Sequence, residues 1–218
     1  MEKIKISFAR RFLKVIMWVF LVLVGIYVVA VIARAIYLYN KSKTDEQTNA
    51  QVEKIHNTKL TLDDVMGKNL PPDPRALADQ TVAGIDSNQN GIRDDVELAV
   101  FKAYPNSAKT RAVLLQYALA LQMETIQPVV NTTTSTEVVR EEDRAESCIA
   151  DTLVPRKSPE SSRSSADMKK IDTYDDFINK LQINTEARNK AQENFYNDLR
   201  SYNSLDTICD IDYSKFSN

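Results

Sequence analysis

Apolar positions are spread unevenly along the chain. Val15 to Ala33, VIMWVFLVLVGIYVVAVIA, is a run of nineteen residues without a charge. As a helix it rises about 28 Å, close to the hydrocarbon thickness of a bilayer. Trp18 near one end, and Tyr37 and Tyr39 beyond the other, suit the interfacial zones where an amphipathic ring keeps its polar atom wet. A cleaved signal peptide is the alternative, because Ala33-Arg34-Ala35 is a small-x-small site. The apolar run exceeds the roughly 7–15 residues of a signal core, which favours an uncleaved anchor.

Beyond the span the pattern becomes helical and then irregular in turn. Asn40 to His56 is polar with little periodicity and reads as a tether or a frayed helix. Thr61 is placed to cap a short turn carrying Val65 and Met66 that Gly67 ends, and Pro71, Pro72 and Pro74 then impose an extended path. Val96, Val100 and Tyr104 recur every fourth residue and predict a helix from Asp94 to Tyr104. Ser107 caps a second helix, Ala108 to Ile126, with the rows Val113/Tyr117/Leu121 and Leu115/Leu119. So broad an apolar face predicts a central, buried helix.

Thr134-x-x-Glu137 resembles a capping box for a third helix, with Val138, Ala145, Ile149 and Leu153 inward. Residues 155–166, PRKSPESSRSSA, are expected to be mobile. Thr173 would cap YDDFINKL, and Asn184 a last helix to about Tyr202 with Ala187, Ala191, Phe195 and Leu199 on one face. No alternation long enough for a sheet occurs. The expected fold class is mainly α: a cytoplasmic segment 1–14, one transmembrane helix 15–38, a tether 39–70, and a small all-α outer domain 71–218.

Charge supplies the orientation. Lys3, Lys5, Arg10, Arg11 and Lys14 precede the span, against Arg34, Lys41 and Lys43 after it, so the N-terminus is expected in the cytoplasm and the remainder in the periplasm or outside the cell. Residues 39–218 hold 22 basic and 29 acidic side chains, a net −7 that repels polyanions and argues against nucleic acid as a partner. Cys148 and Cys209, the only cysteines, are expected to pair in an oxidising compartment. Such a closure is worth roughly 4 kcal/mol in the chain-entropy model. Two unpaired thiols are the alternative.

The stretch DSNQNGIRDDVE puts oxygen-bearing side chains at alternate positions before a glycine. Calcium takes six to eight oxygens, and a twelve-residue loop supplies them from alternate side chains, one carbonyl and a closing carboxylate. Counting from Asp86, the ligand positions fall on Asn88, Asn90, the Ile92 carbonyl, Asp94 and Glu97, with Gly91 at the sharp turn. Over these twelve residues the chain resembles the EF-hand and thrombospondin type 3 calcium loops. Arg93 stands where the EF-hand has an apolar residue, and Ile92 follows the glycine directly, which looks more like the thrombospondin-type loop. The resemblance implies a Ca²⁺ site on a lone loop followed by one helix. The plain alternative is an Asn-Gly turn before a helix whose first turn favours acids.

Catalytic constellations are sparse. His56, the single histidine, lies in the tether and reads as a solvated residue, which removes Ser-His-Asp and Cys-His arrangements. Asp63-Asp64, Glu141-Glu142 and Asp175-Asp176 read as solvated faces or caps, and Phe195, Tyr196 and Tyr202 as core filling. The expected protein is no enzyme: it is a bilayer-anchored bacterial envelope component that binds another envelope protein. A membrane-tethered hydrolase using carboxylates and an inhibitory or immunity-type protein are the alternatives.

Overall fold

The computed structural model describes residues 2–197, 199, 201–205, 207–213 and 216, with side chains from Phe12 onward. Among them there is no strand. The chain divides into one unit ending at Gln47 and a second beginning at Thr48.

The first unit is the greater part of helix α1, Glu2–Asn57. Its apolar stretch averages a mean hydropathy of 3.0 over the best eighteen residues, none of which is buried. Length and composition suffice to cross a membrane, and a signal sequence would meet the same test. Within the expected tether 39–70, the part that read as a tether or a frayed helix is helical as far as Asn57, since residues 40–57 contain neither glycine nor proline. Extending an existing helix costs far less than starting one. The end of α1 also belongs to the second unit, where Ile55 is fully buried.

The second unit is helical, and it starts upstream of the expected Pro71 boundary because Leu60 and Val65 already lie in its core. Helix α2, Leu62–Met66, is capped reciprocally by Thr61 and Asp64 and ends at Gly67 with φ +69°. A long irregular path with one 3₁₀ turn, Arg75–Leu77, leads to α3, Asp94–Ala103. Then come α4, Ala108–Ile126; α5, Thr132–Leu153; α6, Ser165–Gln182; and α7, Glu186–Tyr196.

Helix α4 is the axis of the fold. Every residue from Thr110 to Glu124 is buried, and α2, α3, α5, α6 and α7 all pack on it. Its polar side chains hold irregular chain instead of facing water. Gln122 donates to the Ala83 carbonyl at 2.8 Å, and Arg111 to the carbonyls of Val65, Tyr104 and Pro105. Gln116 donates to the Ile208 carbonyl and accepts from the Asp210 N–H. Arg188, buried at the start of α7, likewise donates to the carbonyls of Ala78, Thr81 and Val82. Buried donors matched in this way replace the hydrogen bonds a loop would otherwise make to water.

Several helix starts differ from expectation. Asn131 caps α5, with Thr134 as its reciprocal partner three residues on. Ser164 caps α6, which therefore begins inside the segment expected to be mobile, while Thr173 sits mid-helix and bonds back to the Lys169 carbonyl. Thr185, one residue past the expected Asn184, caps α7. That helix ends at Tyr196 and turns Arg188 and Phe195 inward, leaving Ala187 exposed.

Candidate metal centre

The Asp86–Glu97 loop curls through two residues with positive φ, Gln89 at +60° and Gly91 at +86°. The second needs glycine for a further reason: a Cβ there would lie 2.6 Å from Leu119 Cδ1 on α4. The loop is thus seated on the central helix, with Ile92 fully buried behind it. The Asp86 carboxylate accepts the N–H groups of Asn90 at 3.2 Å and Gly91 at 2.9 Å, and Asn90 Oδ1 accepts the Ile92 N–H at 2.9 Å.

Glu97, in the first turn of α3, closes the loop. It is fully buried, and its Oε2 accepts from the side-chain amides of Asn88 at 3.0 Å and Asn90 at 3.2 Å. Its Oε1 is buried with no hydrogen-bond partner. Burial pushes this carboxyl up to about 7, the two amide bonds pull it back, and the charges of Asp64 and Asp94 add to the rise. Asp86 is also raised, chiefly by burial, against the pull of its backbone bonds.

Hydrogen bonds therefore link Asp86, Asn88, Asn90, Ile92 and Glu97, five of the six expected ligand residues. Asp94 is committed elsewhere: it accepts the Ser87 N–H at 2.9 Å and the Ser87 hydroxyl at 2.6 Å. Among the described residues no group of three or more His, Cys, Asp or Glu side chains stands close enough to hold an ion. A calcium shell drawn from this loop would rest on amide and carbonyl oxygens as much as on carboxylates. Turning the two amides by 180° would replace N–H by C=O in front of Glu97.

A disulfide joins Cys148 on α5 to Cys209. It is the expected pairing, and it pins the irregular chain beyond α7 to α5. Beside it, Asp210 reaches Arg144 at 2.5 Å and Lys59 at 3.8 Å, and both cations also bond Glu141. Burial alone would lower Arg144, but Asp210 and Glu141 more than offset it and the net direction is upward. His56, expected to be solvated, bonds Glu137 at 2.9 Å.

Sequence reasoning missed this ion group, and it also missed an acidic one at the junction of α4, α5, α6 and α7. Glu141 and Glu142 read as a solvated pair, yet Glu141 is buried among the ion group while Glu142, half-buried, joins the acidic one. One signal was available: Glu124 is an acid near the end of an otherwise apolar helical run, LALQMETI. Tyr196 and Tyr202, expected in the core, are 38% and 39% exposed. No protein-family model matches the chain, and no curated protein or solved structure shows significant similarity to it.

Proposed function

We propose that the protein is a single-pass bacterial envelope component with its N-terminus in the cytoplasm and its helical domain in the periplasm. That domain is braced by Ca²⁺ in the Asp86–Glu97 loop and acts by binding another envelope component. The observation supporting the metal is Glu97 Oε1, a buried carboxylate oxygen left without a partner at the closing position of the loop. Leaving such an oxygen out of water is costly unless a proton or a cation satisfies it. Asp86, Asn88, Asn90 and Glu97 would serve through side chains and Ile92 through its carbonyl. Asp94 would join after leaving Ser87, or through a water. The apolar run supports the anchor, its flanking charges support the orientation, and the cysteine pair suits an oxidising compartment.

With two neutral amides among its ligands, the site belongs to the weak class of extracellular modules, about 10⁻⁴ to 10⁻³ M. Its role is structural. The test is thermal unfolding of the full chain in detergent micelles, with excess chelator or about 10 mM CaCl₂. Calcium at about 10 to 100 times its dissociation constant stabilises by about 1.4–2.7 kcal/mol, a rise of about 3–8 °C for a domain of this size. Glu97→Gln should abolish the rise. An unchanged melting temperature of the parent protein refutes the calcium brace.

A further inference from the structure

The acidic junction behaves differently from an ordinary polar surface, because its hydrogen bonds do not close without an extra proton. Glu124 lies in the last turn of α4 and is 2% exposed. Its Oε2 accepts from Gln192 of α7 at 2.7 Å, and its Oε1 lies 3.1 Å from the Tyr196 hydroxyl. The same hydroxyl lies 2.9 Å from Glu142 Oε2 on α5. A phenol has one proton to donate and so serves one carboxylate at a time. Two ionised carboxylates sharing this one phenol would repel, at the negative end of the α4 dipole.

Every neighbouring element adds acid. From α4 comes Tyr117, whose hydroxyl takes an amide proton from Asn179 at 2.8 Å and lies 3.4 Å from Glu146. Helix α5 contributes Asp143 and Glu146 as well as Glu142, and α6 contributes Asp172, Asp175 and Asp176. Tyr202 approaches from the chain beyond α7. Among the described residues the one cation bonded to any acid of this set is Lys180, which pairs with Asp176 at 3.2 Å.

We infer that Glu124, Glu142 and Tyr196 form a proton-operated clasp that holds the C-terminal half of α7 on α4 and α5, and releases it as the surroundings turn alkaline. The start of α7 is fixed independently, because Arg188 is bonded to Asp79 and to the carbonyls of residues 78, 81 and 82. The turn that would lift carries Gln192 and Tyr196, and its release also draws Phe195 out of the core. The acids around the clasp are shifted in the same direction. Burial, then the Glu142 charge, raises Glu124 well above the usual carboxylate range. Burial and surrounding acids push Glu146 up to about 7 and Asp175 up to about 6. Each such group favours the folded state below its unfolded pKa, and that contribution is lost as pH rises through the folded value.

The test is amide hydrogen exchange of the full chain in detergent micelles at saturating calcium, at about pH 6 and about pH 8.5, corrected for intrinsic exchange. Protection at residues 192–196, referred to the α4 amides, should fall about tenfold or more at the higher pH, as expected for a linked shift of one pKa unit or greater. Glu142→Gln keeps the volume and supplies an N–H, so it should preserve protection at both pH values and remove the dependence. A pH-independent ratio in the parent protein, or an unchanged dependence in Glu142→Gln, overturns the clasp. If that variant does not fold, carboxyl-carbon NMR of the parent decides: Glu124 must titrate well above the usual carboxylate range, and ordinary titration near about 4.3 overturns the clasp.

Discussion

Helix α5 carries two charge groups built on opposite plans. Glu141 and Arg144 join Lys59 and Asp210, two anions against two cations. One residue further round the helix, Glu142 and Glu146 face Glu124 and Asp175, and no described cation answers them. The balanced group keeps its charges out of water because each has a partner in hydrogen-bonding geometry. In the acidic group, burial and neighbouring charges push Glu124, Glu146 and Asp175 toward their protonated forms. A rotation of about 100° between neighbouring helical positions therefore separates a site that needs its charges from one that must lose them.

The contrast is most sharply broken by Arg144→Met. It leaves Asp210 and Glu141 short of their shared guanidinium and should destabilise by about 3–5 kcal/mol in denaturant melts. A loss under about 1 kcal/mol would mean that Lys59 alone balances the site. Replacing Cys148 and Cys209 together by alanine removes the tether holding Asp210 in place and should cost about 2–4 kcal/mol, read the same way. The smallest effect belongs to pH. Moving from about pH 5 to about pH 8 should remove about 1–3 kcal/mol, because the raised carboxyls of Glu146, Asp175 and Glu124 stabilise only while protonated, and their partial exposure trims the full linkage value. A stability that climbs steadily with pH across that interval would show the acidic group to be energetically silent.

Much of the helical framework was readable from the residues because it rests on local rules. Ser107 and Thr61 cap where capping chemistry puts them, and the double apolar row of α4 marks the buried axis. The calcium-like loop was readable as a pattern of oxygens around Gly91, though not that Asp94 would turn to Ser87. What escaped depends on long-range geometry. Asn131 and Thr134 both suit a cap, and they act together, Asn131 as the cap and Thr134 as its reciprocal partner three residues on. Glu141 and Glu142 are equivalent in sequence, and their different fates follow from α5's rotation against its neighbours. Chain beyond Tyr196 continues an apolar spacing yet leaves the helix, since Cys209, Asp210 and Tyr213 are drawn to α4 and α5 instead.

The bridge also sets a timetable for synthesis. Cys148 emerges 61 residues before Cys209. At about 5–20 residues per second its sulfur stands without a native mate for about 3–12 seconds. Arg144 waits about as long for Asp210, so α4 and α5 are made well before the pieces that seal them. How many molecules end up correctly closed is then decided in a race between elongation and any wandering thiol that reaches Cys148 first.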